Sequence, residues 1–147
     1  MRNSISRRRQ KHSKGAVIVE TGMVFVIFAF MLMGAFDFAQ FLFIHQALVD
    51  RARSAARWGA LSDPTNTSAI QNMVLYNQTT APSGATSGIF GLTSSMVQVS
   101  TQDTSTSDDY RLIVSITNDP YLMISPIIGG THNGPNITIS FPIGRTS

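Results

Sequence analysis

The sequence predicts an α+β protein, in which a long N-terminal helix crosses a membrane and then continues as an amphipathic helix packed on a small antiparallel β-sheet. Three patterns in the 147-residue chain predict this fold class: an apolar run near the N-terminus, apolar residues at three- and four-residue spacing directly after it, and apolar-polar alternation in the C-terminal half. They divide the chain into a basic leader (1–15), a transmembrane helix (16–37), an amphipathic extension (38–61) and an exported β-rich domain (62–147).

The transmembrane helix is predicted from an apolar run in which Glu20 is the only charged residue between positions 16 and 36. These 21 residues span about 31 Å as a helix, which is close to the thickness of the bilayer hydrocarbon core. Six of the eleven lysines and arginines lie in the first 14 residues, where there is no acid. The positive-inside rule therefore places the N-terminus in the cytoplasm and residues 62–147 on the other side of the membrane.

The charge distribution argues against a nucleic-acid partner. The sequence pI of about 9.8 comes from the basic leader, because residues 15–147 contain five basic and eight acidic side chains, a formal charge of −3. A nucleic-acid-binding domain normally carries a basic patch, so no nucleic acid is expected. The chain has no cysteine, which excludes disulfides, zinc-thiolate sites and thiol catalysis.

The amphipathic extension begins after Asp37, where polar and charged residues start to alternate with apolar ones at helical spacing. No proline precedes Pro64, and Gly59 with residues 62–64 forms a stop signal. We therefore predict one helix over about 16–61. The stripe expected to pack against the exported domain includes Phe38, Phe41, Leu42, Leu48 and Val49.

The exported domain shows period-two alternation three times, at 97–100, 112–117 and 137–141. Each run is typical of a half-buried strand, and the helix stripe can cover the apolar face of the sheet that they form. A short helix is predicted over 69–77. Turns are predicted at Asp108–Asp109, at 118–120 after the second strand, and in the glycine-rich segment 129–134.

The residue pattern gives little support for catalysis. His12, His45 and His132 are scattered without metal-ligand spacing, and His45 is expected to be a packed or surface residue. Segment 129–134 lacks the lysine of a phosphate loop, and the aspartates between 103 and 109 do not follow calcium-loop spacing. We therefore predict no enzyme activity, no catalytic residue, no metal and no cofactor.

The junction between leader and helix reads Lys14-Gly15-Ala16-Val17-Ile18-Val19-Glu20. A basic leader that ends in glycine, an apolar helix that starts at once and a carboxylate five residues after the glycine resemble the type IV pilin signal. The resemblance implies that a prepilin peptidase cuts after Gly15, which makes Ala16 the new N-terminus. It also implies that Glu20 sets the assembly register by pairing with the N-terminal amine of a neighbouring subunit.

Two further segments narrow this resemblance. The acidic-aromatic pair Asp37-Phe38 after the span and the Ala/Arg-rich stretch 47–60 are similar to the TadE-like family of pseudopilins. Thr21 stands where major Flp pilins have tyrosine, and the polar C-terminal part is longer than theirs. The resemblance therefore implies a minor pilin or pseudopilin of a Tad (Flp) type IV pilus or related secretion machine. Helix packed on sheet is also the general pilin plan.

The same resemblance implies the partners and the location. The partners are the lipid bilayer, a prepilin peptidase, other pilins or pseudopilins and the pilus assembly platform. The location is the bacterial inner membrane, with the C-terminal domain periplasmic or extracellular, or the pilus itself. The alternative is an unprocessed single-span anchor whose exported domain binds a ligand or the cell wall. An ordinary signal peptide is disfavoured, because the apolar run is long and no good small-x-small cleavage site precedes Asp37.

Overall fold

The computed structural model describes residues 6–103, 109–123 and 130–144, with side chains described from Gly15 onward. The helices are α1 (Ser6–Leu61) and α2 (Thr67–Tyr76), with short 3₁₀ turns at Ile89–Gly91 and Ser94–Met96. The strands are β1 (Val97–Gln102), β2 (Arg111–Ile116), β3 (Pro120–Met123), β4 (Gly130–Asn133) and β5 (Ile137–Pro142).

Helix α1 ends at Leu61, as predicted, but it begins at Ser6 instead of residue 16. The leader carries no proline, and Gly15 costs only about 1 kcal/mol relative to alanine, so the helix continues through the junction. At the other end, a turn stops α1 before Pro64. The side chain of Asp63 accepts hydrogen bonds from the Thr65 amide at 2.9 Å and the Thr65 hydroxyl at 2.6 Å.

Helix α2 confirms the short helix predicted over 69–77, with bounds shifted to Thr67–Tyr76. Its start is fixed by Asn66, whose side chain accepts a hydrogen bond from the Ala69 amide at 3.1 Å. Its end is fixed by Asn77, which adopts a left-handed conformation with φ of 59°.

The three predicted strands form one antiparallel sheet in the order β1-β2-β5. Its central pairs are Val99 with Val114 and Val114 with Ile139, so that the alternate apolar residues of all three strands lie on one face. Asp109 lies in a turn before β2, while its predicted turn partner Asp108 lies outside the described residues.

A second sheet, the hairpin of β3 and β4, was not predicted. The assignment of 129–134 as a turn is wrong for Gly130–Asn133, which pair with Pro120–Met123; Gly129 lies outside the described residues. The four residues of β4 are all exposed, so they show no apolar-polar alternation from which a strand could be predicted.

The core lies between the three-stranded sheet and the two helices. The apolar face of the sheet is covered by the C-terminal half of α1 and by α2. The closest approach is at Gly59, where an added Cβ would stand 2.6 Å from Ile70 Cδ1 on α2 and 2.8 Å from Leu112 Cδ2 on β2. The buried apolar residues that meet there include Leu48, Ala52, Ala55, Ala56, Ile70, Val74, Leu112, Val114, Ile116 and Ile137.

Candidate functional site

The N-terminal half of α1 stands apart from the core. The large apolar side chains from Val17 to Met33 are each at least 42% exposed. Among the described residues, one helix (Gly15–Leu61) is long and apolar enough to cross a membrane. A long surface of exposed valine, isoleucine, phenylalanine and methionine is stable in lipid or against other apolar helices, and it is unfavourable in water.

The junction residues lie on this exposed half. Gly15, Ala16 and Glu20 are all exposed, and no atom outside the local backbone lies within 4 Å of where a Cβ on Gly15 would stand. The Thr21 hydroxyl donates a hydrogen bond to the Val17 carbonyl at 2.8 Å, so it is engaged with its own helix. The Glu20 carboxylate is therefore presented outward on an otherwise apolar segment.

The predicted packing stripe is only partly used. Leu48 is fully buried, and Phe41 and Val49 pack partly buried against the core. Phe38 and Leu42 are 62% and 42% exposed, so their assignment to the stripe is corrected. At 100° per residue, the buried Asp37 points within about 20° of the direction of Leu48, whereas Phe38 and Leu42 point about 80° and 120° away from it.

The β3–β4 hairpin contacts α1 close to the end of the predicted span. The rings of Phe41 and Tyr121 are 4.8 Å apart, and the rings of Phe41 and His45 are stacked at 6.0 Å. Asp37, one turn before Phe41, is 8% exposed. The acidic residue that follows the apolar run is therefore covered by the folded domain.

The hairpin also holds a buried polar pair that sequence reasoning did not single out. Asp119 is 1% exposed and Tyr121 is 2% exposed. The carboxylate and the hydroxyl lie near each other, but neither makes a hydrogen bond of good geometry among the described residues. Burial raises the pKa of Tyr121 above its usual range, and the nearby Asp119 carboxylate raises it further. In the sequence, residues 118–120 predict only a turn after the second strand, and nothing in the residue pattern indicates that Asp119 is buried.

The described residues offer no constellation for metal chemistry. No group of three or more histidine, aspartate or glutamate side chains in the described segments is placed to hold a metal ion. His45 is half-buried on α1 beside Phe41, as expected for a packed residue, and His132 lies on exposed strand β4.

A groove of about 390 Å³ opens between α1 and β5. Its α1 wall is made by Arg53, Ser54 and Arg57, and its β5 wall by residues 139–141. The same stretch of α1 buries Ala52, Ala55 and Ala56 in the core. The Ala/Arg-rich helix thus has an alanine face that packs and an arginine face that lines the groove.

An exposed apolar helix of membrane-spanning length, with a small α+β domain packed on its C-terminal half, suggests a class: proteins anchored by one N-terminal helix in a pilin-like arrangement. Within that class, residues 15–57 match the family model described as TadE-like protein. This segment of the chain is therefore similar to TadE-like proteins, which confirms the resemblance stated from the sequence.

The match covers α1 from the junction glycine to Arg57 and leaves residues 58–147 outside it. The comparisons with curated proteins and with solved structures give no match.

Proposed function

We propose that this protein is a minor pilin or pseudopilin, a structural or assembly component of a Tad (Flp) type IV pilus or a related secretion machine. The observation that carries the proposal is the TadE-like match over residues 15–57, which coincides with the exposed apolar half of α1 and its lone carboxylate, Glu20. In such a role, one surface serves first as an anchor in the inner membrane and then as a packing surface for neighbouring subunits. The family is structural rather than catalytic.

Processing is proposed after Gly15 by a prepilin peptidase, which makes Ala16 the new N-terminus. Both residues are exposed, so an enzyme can reach the bond between them. That bond lies within the continuous helix α1, so the local helix must unwind before cleavage. Glycine lowers the cost of unwinding by about 1 kcal/mol relative to alanine.

Glu20 is proposed to set the register between subunits. A charged side chain at mid-bilayer costs about 2.5–3.5 kcal/mol, and less near the interface. Glu20 lies four residues after Ala16, which is about 6 Å along a helix axis. A neighbouring subunit that is offset by this distance brings its Ala16 ammonium to the Glu20 carboxylate, and in an apolar environment that pairing offsets much of the cost.

The proposed topology follows from the charges. The arginine-rich leader lies in the cytoplasm, residues 16–37 cross the inner membrane, and residues 62–147 lie in the periplasm or outside the cell. The partners are the bilayer, the peptidase, other pilins or pseudopilins and the assembly platform.

A second candidate is an unprocessed single-span anchor whose exported domain binds a ligand or the cell wall. The groove between α1 and β5 favours it, because the groove gives the C-terminal part of the chain a surface that can bind a ligand. The two candidates share a topology and differ in the mature N-terminus and in whether Glu20 is needed.

The proposed pairing is tested by the Glu20→Gln variant, which removes the charge of the carboxylate and keeps the size of the side chain. The full chain is expressed in cells that contain the assembly machinery. We expect the variant to insert and to be cleaved like the wild type, but to be lost from cross-linked pilus complexes. The matched control is Thr21→Val, which removes a polar group at the same depth without removing charge and should assemble normally. Normal assembly of Glu20→Gln would refute the pairing, and a wild-type chain that keeps its leader would favour the anchor.

A further inference from the structure

Strand β5 forms an edge of the three-stranded sheet, since the strand order is β1-β2-β5. One hydrogen bond shows which residues of β5 face β2. The Ile143 amide donates to the Tyr110 carbonyl at 3.0 Å, and this pair continues the register of the β2–β5 ladder. In an antiparallel pair, backbone groups alternate between facing the partner and facing away. The backbone groups of Thr138 and Ser140 therefore point away from β2, toward the open edge.

The two edges of the sheet differ at one position, because one outward-facing backbone group of β1 has a partner on α2, while Val99 and Thr101 farther along β1 have no such bond in the described part of the chain. At the β1 edge, the side chain of Gln71 on α2 donates a hydrogen bond to the Val97 carbonyl at 2.8 Å, which satisfies an outward-facing backbone group. At the β5 edge, no such bond to the backbone of Thr138 or Ser140 is formed within the described part of the chain. Pro142, the third outward-facing residue of β5, has no amide to donate and protects that end of the edge, so the surface with which another chain can pair is limited to the backbone of Thr138 and Ser140.

The groove beside this edge is positively charged. Two of its six lining residues, Arg53 and Arg57, are basic, and none is acidic. Arg53 makes an ion pair with Asp50 at 3.7 Å, with both side chains more than 60% exposed, and an ion pair exposed to this extent contributes little. No ion pair of Arg57 occurs among the described residues. The groove thus favours an acidic occupant.

We propose that this groove binds an extended acidic segment of a partner protein, which adds a strand to β5 and places its carboxylates against Arg53 and Arg57. The spacing fits: alternate residues of a strand lie about 6.6 Å apart on one face, and four residues of a helix rise about 6 Å. The backbone of the added strand provides affinity, and the carboxylates provide specificity. The proposal rests on the groove and on the β5 edge beside it, and it does not depend on processing at Gly15 or on pairing by Glu20.

The test measures binding of a synthetic peptide by the detergent-solubilised full chain, using fluorescence anisotropy of a labelled peptide. The peptide alternates threonine and glutamate, with blocked ends, and its matched control has glutamine in place of each glutamate. We expect binding that weakens as salt is raised, that is roughly tenfold tighter for the glutamate peptide, and that falls roughly tenfold in the Arg53→Gln/Arg57→Gln variant. The control variant Arg111→Gln removes an exposed arginine that does not line the groove, and it should bind normally.

Strand pairing is tested separately through the peptide backbone. Methylation of alternate amides gives two peptides of equal charge, of which one can still donate hydrogen bonds to β5 and one cannot. We expect one set of methyl groups to abolish binding and the other set to leave it intact. Absence of binding, equal binding by the double-glutamine variant, or equal binding by both methylated peptides would overturn the proposal. Self-association of the full chain through Arg53 and Arg57 would also overturn it, because a second copy would then fill the groove.

Discussion

Gly59 is the position at which the packing of α1 against α2 and the three-stranded sheet can be tested most sharply. It lies in α1 where the helix crosses α2 and the sheet, and an added Cβ would stand 2.6 Å from Ile70 Cδ1 and 2.8 Å from Leu112 Cδ2. Gly59→Ala introduces one methyl group at this crossing and changes nothing else. If the domain docks as described, the methyl group must displace both neighbours.

The expected size of the effect is the difference between two opposing contributions. Carbon atoms pack at about 3.5–4.0 Å, so the methyl group is about 1 Å too close to each neighbour, and overpacking of this kind costs about 1–3 kcal/mol. Replacing glycine by alanine within a helix also stabilises the helix by about 1 kcal/mol. We therefore expect Gly59→Ala to lower the free energy of unfolding by about 1 kcal/mol.

The assay is urea or thermal unfolding of the full chain in detergent, followed by the fluorescence of Trp58. The chain has a single tryptophan, and it packs partly buried against the core beside Gly59, so its signal reports on this interface. The matched control is Gly34→Ala in the same helix, where nothing lies within 4 Å of the added Cβ. The control should leave the unfolding of the domain unchanged.

A second substitution tests the cause. Ile70→Ala removes both Cδ1 and Cγ1, which would stand 2.6 Å and 2.7 Å from the added Cβ, so Gly59→Ala should cost less in the Ile70→Ala background than in the wild type. If Gly59→Ala alone instead stabilised the protein by about 1 kcal/mol, the variant would show the favourable helix propensity of alanine and no steric clash. That result would refute the close approach of α1, α2 and β2.

The remaining predictions concern the hairpin and the start of α2. Burial raises the pKa of Tyr121, so folded Tyr121 keeps its proton at a pH where the unfolded chain loses it. Stability should therefore be retained below about pH 10 and fall above it by up to about 1.4 kcal/mol per pH unit. The measurement is urea unfolding as a function of pH. The Tyr121→Phe variant should not lose stability in this way at high pH, whereas the Tyr110→Phe variant should lose it like the wild type. The same loss of stability in Tyr121→Phe would show that Tyr121 is not its cause. Asn66→Ala removes the N-cap bond to the Ala69 amide and should destabilise by about 1 kcal/mol, whereas the exposed neighbour Ser68→Ala should be neutral; equal stability of the two variants would exclude the cap.

Much of the architecture could be predicted because it depends on local periodicity. The apolar run and its helical continuation predict α1 to its last residue, Leu61, and period-two alternation predicts β1, β2 and β5. These patterns exist because one side of each element must be buried, and the requirement is visible in residue types. The sequence also singles out the junction at Gly15 and Glu20, because a lone carboxylate in an apolar run is costly, and the role of these two residues stays a prediction.

The features that were missed depend on tertiary contacts. Strand β4 is exposed along its length and is defined by its pairing with β3, which leaves no periodic signal. The burial of Asp119 depends on how the hairpin packs, and the exposure of Leu42 depends on the direction from which the sheet approaches α1. The groove at Arg53 and Arg57 likewise forms only when β5 lies beside the helix. From the sequence alone, the two arginines are interpreted as ordinary solvent-exposed charges.

The N-terminus of the mature protein distinguishes a processed pilin from an unprocessed anchor. The full chain is produced in cells that contain the prepilin peptidase, extracted from the membrane and measured by intact-mass spectrometry together with N-terminal sequencing. A processed pilin begins at Ala16, so the mass should be that of residues 16–147, with any N-methyl group adding to it. A membrane-extracted chain that still begins at Met1 and carries its arginine-rich leader would contradict processing after Gly15.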